Sequence, residues 1–308
     1  LPWPAISIVQ LNLSGSQYHG VERTQRVMPE LPEVETVRGG LENHLMGRRI
    51  EQVELRRPDL RFPFPEGFEA MLRGRLVESV DRRAKYLLIR LDNGTTWITH
   101  LGMSGKFTLF SSGDGPNEVG KHDHFAIWLD DGGQAVYTDH RRFGFMKLIE
   151  TAEQDENRHL AKLGPEPMPD QLTPMDLAEN LKGRKASIKS ALLDQRTVAG
   201  LGNIYVSEAL FRAGVSPRRT AASVAGTSGV SNRVERLTGA IHDVIIEAID
   251  AGGSSISDFA SVDGALGYFT RSHQVYGREA EPCMQCDASI KRIVQSGRST
   301  FYCPKCQQ

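Results

Sequence analysis

All four cysteines of this 308-residue chain lie in its last 26 residues, as Cys283, Cys286, Cys303 and Cys306. They form two C-x2-C pairs with sixteen residues between the inner members. Each pair can clamp one side of a tetrahedral ion, and the interval suits a short hairpin that returns the second pair to the first. The spacing predicts one zinc ion in a structural site, with no position left open for water. Two disulfides would satisfy the same count, but nothing else in the chain suggests an oxidising compartment. Lys291, Arg292 and Arg298 lie between the pairs. A basic hairpin held rigid by metal is a natural phosphate-binding element.

A net charge of -1 argues against a uniformly basic nucleic-acid binder, but the charges are segregated. Residues 150–180 carry eight acids against two bases, whereas residues 181–219 carry eight bases against two acids. That asymmetry fits a polyanion-binding face on an otherwise neutral molecule; a solvated helix surface is the competing reading. No apolar run approaches the roughly 20 residues of a membrane span, and the first residues lack a secretory layout, so a cytoplasmic protein is expected.

Residues 1–27 show no sustained period or capping signal, and Met28 is the first methionine. They read as an extension outside the fold, compatible with translation beginning at Met28. Behind it, "PEVETVRGGLENHLMG" places Val34, Val37, Leu41, Leu45 and Met46 at helical spacing, with Pro32 and acids in the first turn and Gly47 after the end. Short β-rich runs follow up to "FMKLI", separated by turn signals such as "DNG" and "DDGG", which predicts an antiparallel sandwich. Four helical stretches come next: "PMDLAENLKG", "ASIKSALLDQ", "NIYVSEALFRAG" and "RVERLTGAIHDVIIEAIDAGG". The glycines ahead of Asn203 leave the first amides of that helix able to face a phosphate. Lys85 lies in an apolar strand run, where a lysine needs an anion or a route to water.

Taken in order, "MPELPEVETVRGGL", "DRRAKYLLIRL", "HLGMSG", "DHRRFG", "LGPEP", "GLGNIYVSEALF" and the cysteine finger resemble the bacterial formamidopyrimidine-DNA glycosylases, from Met28 to the carboxyl end. The resemblance implies an α+β multidomain chain. Residues 28–155 would form an amino-terminal catalytic β-sandwich flanked by helices, and 156–169 a linker. Residues 170–265 would form a helical helix-two-turn-helix domain, and 266–308 a lesion-capping loop and β-hairpin zinc finger. It also implies a base-excision repair enzyme, glycosylase and abasic-site lyase together, acting as a monomer in the bacterial cytoplasm at the nucleoid on duplex DNA with oxidised purines or abasic sites.

The same resemblance assigns roles. Pro29, once its amine is free, is the nucleophile that forms a Schiff base; Glu30 is the acid and base; Lys85 meets a phosphate or the lesion. Glu33 is a weaker candidate for supporting the site, and with Glu35 otherwise serves helix-end electrostatics. Met103, Arg141 and Phe143 fill the hole left by the everted nucleotide. His100, Asn203 and Arg298 contact DNA, and "DGALGYFTRSH" closes over the extruded base. With residues 1–27 attached, the Pro29 nitrogen is a tertiary amide and no nucleophile. Two other readings stay open: a sister enzyme for oxidised pyrimidines, and a non-catalytic zinc-finger protein that recognises damaged DNA.

Overall fold

The computed structural model describes residues 28–116, 119–227, 229–254 and 272–308. The extension at 1–27 and most of the expected capping loop lie outside the described residues.

Helix α1 (Leu31–Leu45) starts at a reciprocal capping box in which Glu30 and Glu33 each accept the other's backbone amide. Val34, Val37, Leu41 and Leu45 form its buried stripe. Met46, expected on that face, is instead 51% exposed, because the helix ends at Leu45 and the chain turns extended at Met46.

Eight strands follow: β1 (Ile50–Leu55), β2 (Val77–Arg83), β3 (Tyr86–Leu91), β4 (Thr95–His100), β5 (Gly105–Phe110), β6 (Asp123–Leu129), β7 (Gln134–Asp139) and β8 (Phe145–Glu150). They make two four-stranded antiparallel sheets, ordered β1-β6-β7-β5 and β2-β3-β4-β8. Both sheets contribute to one core: Phe125, Ile127 and Tyr137 from the first, Leu87, Ile89 and Trp97 from the second. Helix α2 (Phe68–Leu72) adds Phe68 and Leu72, and α1 covers the same core. The sandwich read from the short β-rich runs is therefore present. Lys85, however, is not within a strand. The run breaks at a two-residue turn, Ala84 and Lys85, with Ala84 at φ 52°.

The carboxyl-terminal half holds α3 (Pro174–Leu181), α4 (Ile188–Leu193), α5 (Asn203–Arg212), α6 (Ala221–Ala225) and α7 (Asn232–Asp250). Helix α6 is additional to the four expected; it is five residues long, too short for periodicity to reveal, and is capped by Thr220. The finger hairpin pairs β9 (Lys291–Gln295) with β10 (Arg298–Tyr302). Ser296 and Gly297, both at positive φ, make its tight turn. A second core runs through these helices and into the finger at Ile290 and Phe301. Leu31 belongs to this second core while Val34, three residues on, belongs to the sandwich core, so the start of α1 sits on the seam between the two halves. Among the described residues no helix is long and apolar enough to cross a membrane.

Candidate active site

The first turn of α1 and the start of α5 meet head to head. The Glu30 carboxylate accepts hydrogen bonds from the Ile204 amide at 3.0 Å and the Tyr205 amide at 3.4 Å. The amides read from sequence as phosphate-facing are thus already taken by a carboxylate, for the same electrostatic reason that a helix amino terminus suits any anion. Glycine is required for this approach. A Cβ on Gly202 would lie 2.2 Å from the Glu30 carboxyl carbon, and one on Gly200, itself at φ +97°, would lie 2.5 Å from Leu31.

Glu30 is buried, and burial pushes its pKa up to about 7; nearby Lys85 and the two amides pull it back, and Glu33 pushes it further up. Glu33 is also wholly buried. It accepts hydrogen bonds from the Glu30 amide at 2.9 Å, the Tyr205 hydroxyl at 2.5 Å and the Ser254 amide at 2.8 Å, while burial raises its pKa. Pro29, immediately ahead, is buried too.

Lys85 donates from Nζ to the Leu201 carbonyl at 2.9 Å. Burial lowers its pKa, Glu30 opposes that, and Arg298 adds to it. Its turn is gripped by Glu166, from "LGPEP", which accepts the Ala84 amide at 2.6 Å and pairs with Arg82 at 2.8 Å and Arg83 at 3.1 Å. Arg82 also pairs with Glu35 at 2.7 Å, which gives Glu35 a structural partner.

One lysine escaped the sequence reading. Lys189 in α4 is fully buried and donates to the Ser299 carbonyl and the Thr300 hydroxyl, both at 2.7 Å. Burial lowers its pKa to about 7, against the pull of Glu30 and with the push of Arg298. In sequence it resembles any surface-helix lysine; its apolar neighbours Ile188, Ala191 and Leu192 were the available signal. The Asn203 side-chain amide donates to the same Ser299 carbonyl at 3.0 Å, while its oxygen is buried without a partner among the described residues. Arg298 is exposed at the head of β10. Glu30, Lys85, Asn203 and Arg298 are therefore gathered at one seam.

His100 ends β4. Its Nδ1 accepts the Gly102 amide at 3.0 Å, which leaves the proton on Nε2. Burial, then Lys85, Arg61 and His159, hold its pKa near 3, so the ring is a neutral donor.

Met103, Arg141 and Phe143 sit on two loops locked together through backbone. Asp139 accepts the Ser104 hydroxyl at 2.5 Å, the Gly144 amide at 2.9 Å and the Arg141 amide at 3.3 Å. Gly102 lies against the Phe143 backbone so closely that a Cβ would come within 2.3 Å of its carbonyl carbon. The Phe143 ring is 43% exposed, with the Arg141 guanidinium 4.9 Å from its centroid.

The four cysteine sulfurs all lie within 4.8 Å of one another, with Cys283 to Cys306 at 3.9 Å and Cys286 to Cys303 at 3.4 Å. Zn–S bonds of about 2.3 Å in a tetrahedron space sulfurs about 3.8 Å apart, so this donor set fits one zinc ion.

Comparison with known proteins agrees with this geometry over the whole patterned chain. The sequence model of the formamidopyrimidine-DNA glycosylase N-terminal domain matches residues 28–146, that of its H2TH domain residues 163–260, and that of the zinc finger found in FPG and IleRS residues 280–308. The chain belongs to the formamidopyrimidine-DNA glycosylase family. A Chelativorans formamidopyrimidine-DNA glycosylase is 52% identical, and one from Ruegeria pomeroyi 51% identical, each over 91% of this chain and 100% of the relative. Among solved structures, Lactococcus lactis Fpg in complex with DNA containing an abasic site superposes with a TM-score of 0.81 at 36% identity, covering 91% of this chain and 99% of that one. MutM in complex with DNA containing carbocyclic 8-oxo-G gives 0.81 at 37%, covering 91% and 100%. The expected family and architecture, with a zinc-finger domain able to hold one ion, are thus present.

Proposed function

We propose that the chain removes oxidised purines from duplex DNA and then cuts the abasic strand, with Pro29 as nucleophile. Its nitrogen must first be freed of Met28, since an amide nitrogen has no lone pair to give; a form still linked there can bind DNA but cannot attack it. The free secondary amine attacks C1′ of the everted nucleotide, and the glycosidic bond breaks with its electrons leaving on the base. Glu30, protonated near neutral pH, donates to the sugar ring oxygen, which opens the ring to an iminium; successive loss of the two phosphates leaves a gap.

The observation that carries this reading is the Glu30 carboxyl, buried at the interdomain seam with Lys85 beside it and Pro29 next in sequence. Dry, fixed acid and amine groups at that point are what proton transfer to a sugar requires. Met103, Arg141 and Phe143 would fill the emptied stack. His100, Lys85, Asn203 and Arg298 would hold the lesion strand by its phosphates, contacts that position without reading sequence. Such a substrate places the work on chromosomal DNA in the bacterial cytoplasm.

Borohydride reduction tests the chemistry. Polypeptide begun at Met28, with the methionine removed, should be trapped as a covalent adduct on DNA containing 8-oxoguanine. Absence of adduct with active-site residues intact would overturn the reading.

A further inference from the structure

Next to His100, a cluster of rings runs from buried Phe145 out to half-buried Phe62, Tyr86 and His159. Tyr86 lies 5.0 Å from His100 by ring centroids, His100 stacks on Phe145 at 5.5 Å and 8°, and Phe145 touches both His159 at 4.8 Å and Phe62 at 5.5 Å. Three cations from three separate segments lie at the outer rings of this cluster. The Arg61 guanidinium lies 5.4 Å and the Lys147 ammonium 5.9 Å from the Phe62 ring, and Arg158 donates from Nε to His159 Nε2 at 3.3 Å.

None of the three makes an ion pair among the described residues. Nearby arginines behave differently: Arg57 and Arg142 share Asp59, and Arg56 pairs with Glu54. The cations also sense one another. His159 is pushed down by burial and then by Arg158, Lys147 and Arg61, with no carboxylate opposing, and Lys147 is lowered by burial and Arg158. Like charges gathered without counter-charge repel in the free protein, and a polyanion relieves that repulsion. The patch joins the site at both margins. The Arg61 amide donates to the Gly144 carbonyl, in the loop that carries Phe143, and the ring cluster leads directly to His100.

We propose that Arg61, Lys147 and Arg158 form a second phosphate-binding patch, which holds the backbone of the duplex beyond the lesion. This rests on the function proposed above. The occupant is duplex DNA because the patch continues the surface assigned to the lesion strand, and its charge is complementary to phosphate.

The test is affinity against salt, using polypeptide begun at Met28 and a duplex containing a tetrahydrofuran abasic analogue. Each lost phosphate contact should lower the slope of log affinity against log salt by about 0.9, so the R61A/K147A/R158A triple variant should lose about 2 to 3 units and bind roughly tenfold or more weakly. The charge-preserving R61K/K147R/R158K variant should keep the slope. The single variant R158Q, at an exposed position, should lose about one unit and guards against misfolding of the triple. Unchanged slopes in R158Q and the triple, with preference for the abasic duplex intact, would overturn the patch alone. A wild-type protein with no preference for abasic over undamaged duplex would overturn the underlying function.

Discussion

Glu30 and Phe143 stand at opposite extremes of how this protein holds a side chain. The Glu30 carboxylate is buried and fixed by two amides of the other half, with Lys85 close by. Phe143 is 43% exposed, and the Arg141 guanidinium beside it makes no hydrogen bond among the described residues, only the ring contact. What is fixed in the second region is backbone, through Asp139. Proton transfer requires groups that are dry and immobile before substrate arrives, whereas a stand-in for a missing base must be free to change place. Under the proposed function, the two regions would be stabilised at different atoms because they would act at different moments.

The contrast can be broken most severely at the buried end. Glu30→Gln should lower single-turnover cleavage of 8-oxoguanine DNA by roughly 10² to 10⁴, the usual range for a general acid or base, while leaving DNA binding in place. In the wild type the protonated acid declines as pH rises through about 7, so a pH–rate profile should fall above neutrality through this group, and that limb should vanish in the variant. A Cys303→Ser change or strong chelation should come next. Without metal the hairpin loses its clamp, Lys189 and Asn203 lose the Ser299 carbonyl, and affinity should fall by roughly a hundredfold alongside loss of zinc by elemental analysis.

Smaller effects separate backbone from side chain in the exposed region. Asp139→Ala removes the acceptor of the Ser104 and Tyr137 hydroxyls and of the Gly144 amide, while the Arg141 amide keeps the Ser104 oxygen, and it should lower unfolding free energy by about 3 kcal/mol in denaturant titration, from partly additive losses of about 1 to 3 kcal/mol each. Phe143→Ala should leave stability within about 0.5 kcal/mol, as exposed positions do, yet weaken lesion binding by about tenfold through lost stacking. Should Phe143→Ala destabilise the fold as much as Asp139→Ala, the distinction between fixed backbone and free ring would be wrong.

Features encoded by local spacing could be read directly from the chain. The two cysteine pairs, the proline and acids at the start of α1, the short β-rich runs and the glycines before α5 each depend on residues a few positions apart. What escaped was tertiary. Nothing near Glu30 announces that its carboxylate caps a helix 174 residues away, and nothing near Glu166 announces its hold on the Lys85 turn 82 residues before it. Nothing near Lys189 announces the acceptors that hold it, because Ser299 and Thr300 lie on the distant finger. Lys85 reads as part of one apolar strand run, but Ala84 takes a positive φ that its residue type rarely adopts, and the chain turns there.

Leu31 is packed among the helices while Val34 is packed between the sheets. Neither half, produced as a separate fragment, therefore carries the whole of the proposed reaction centre: one would bring Glu30 without the amides that seat it, the other the amides without their carboxylate. With the chemistry proposed for Glu30, repair competence would be a property of complementation between the halves, arising only when they dock.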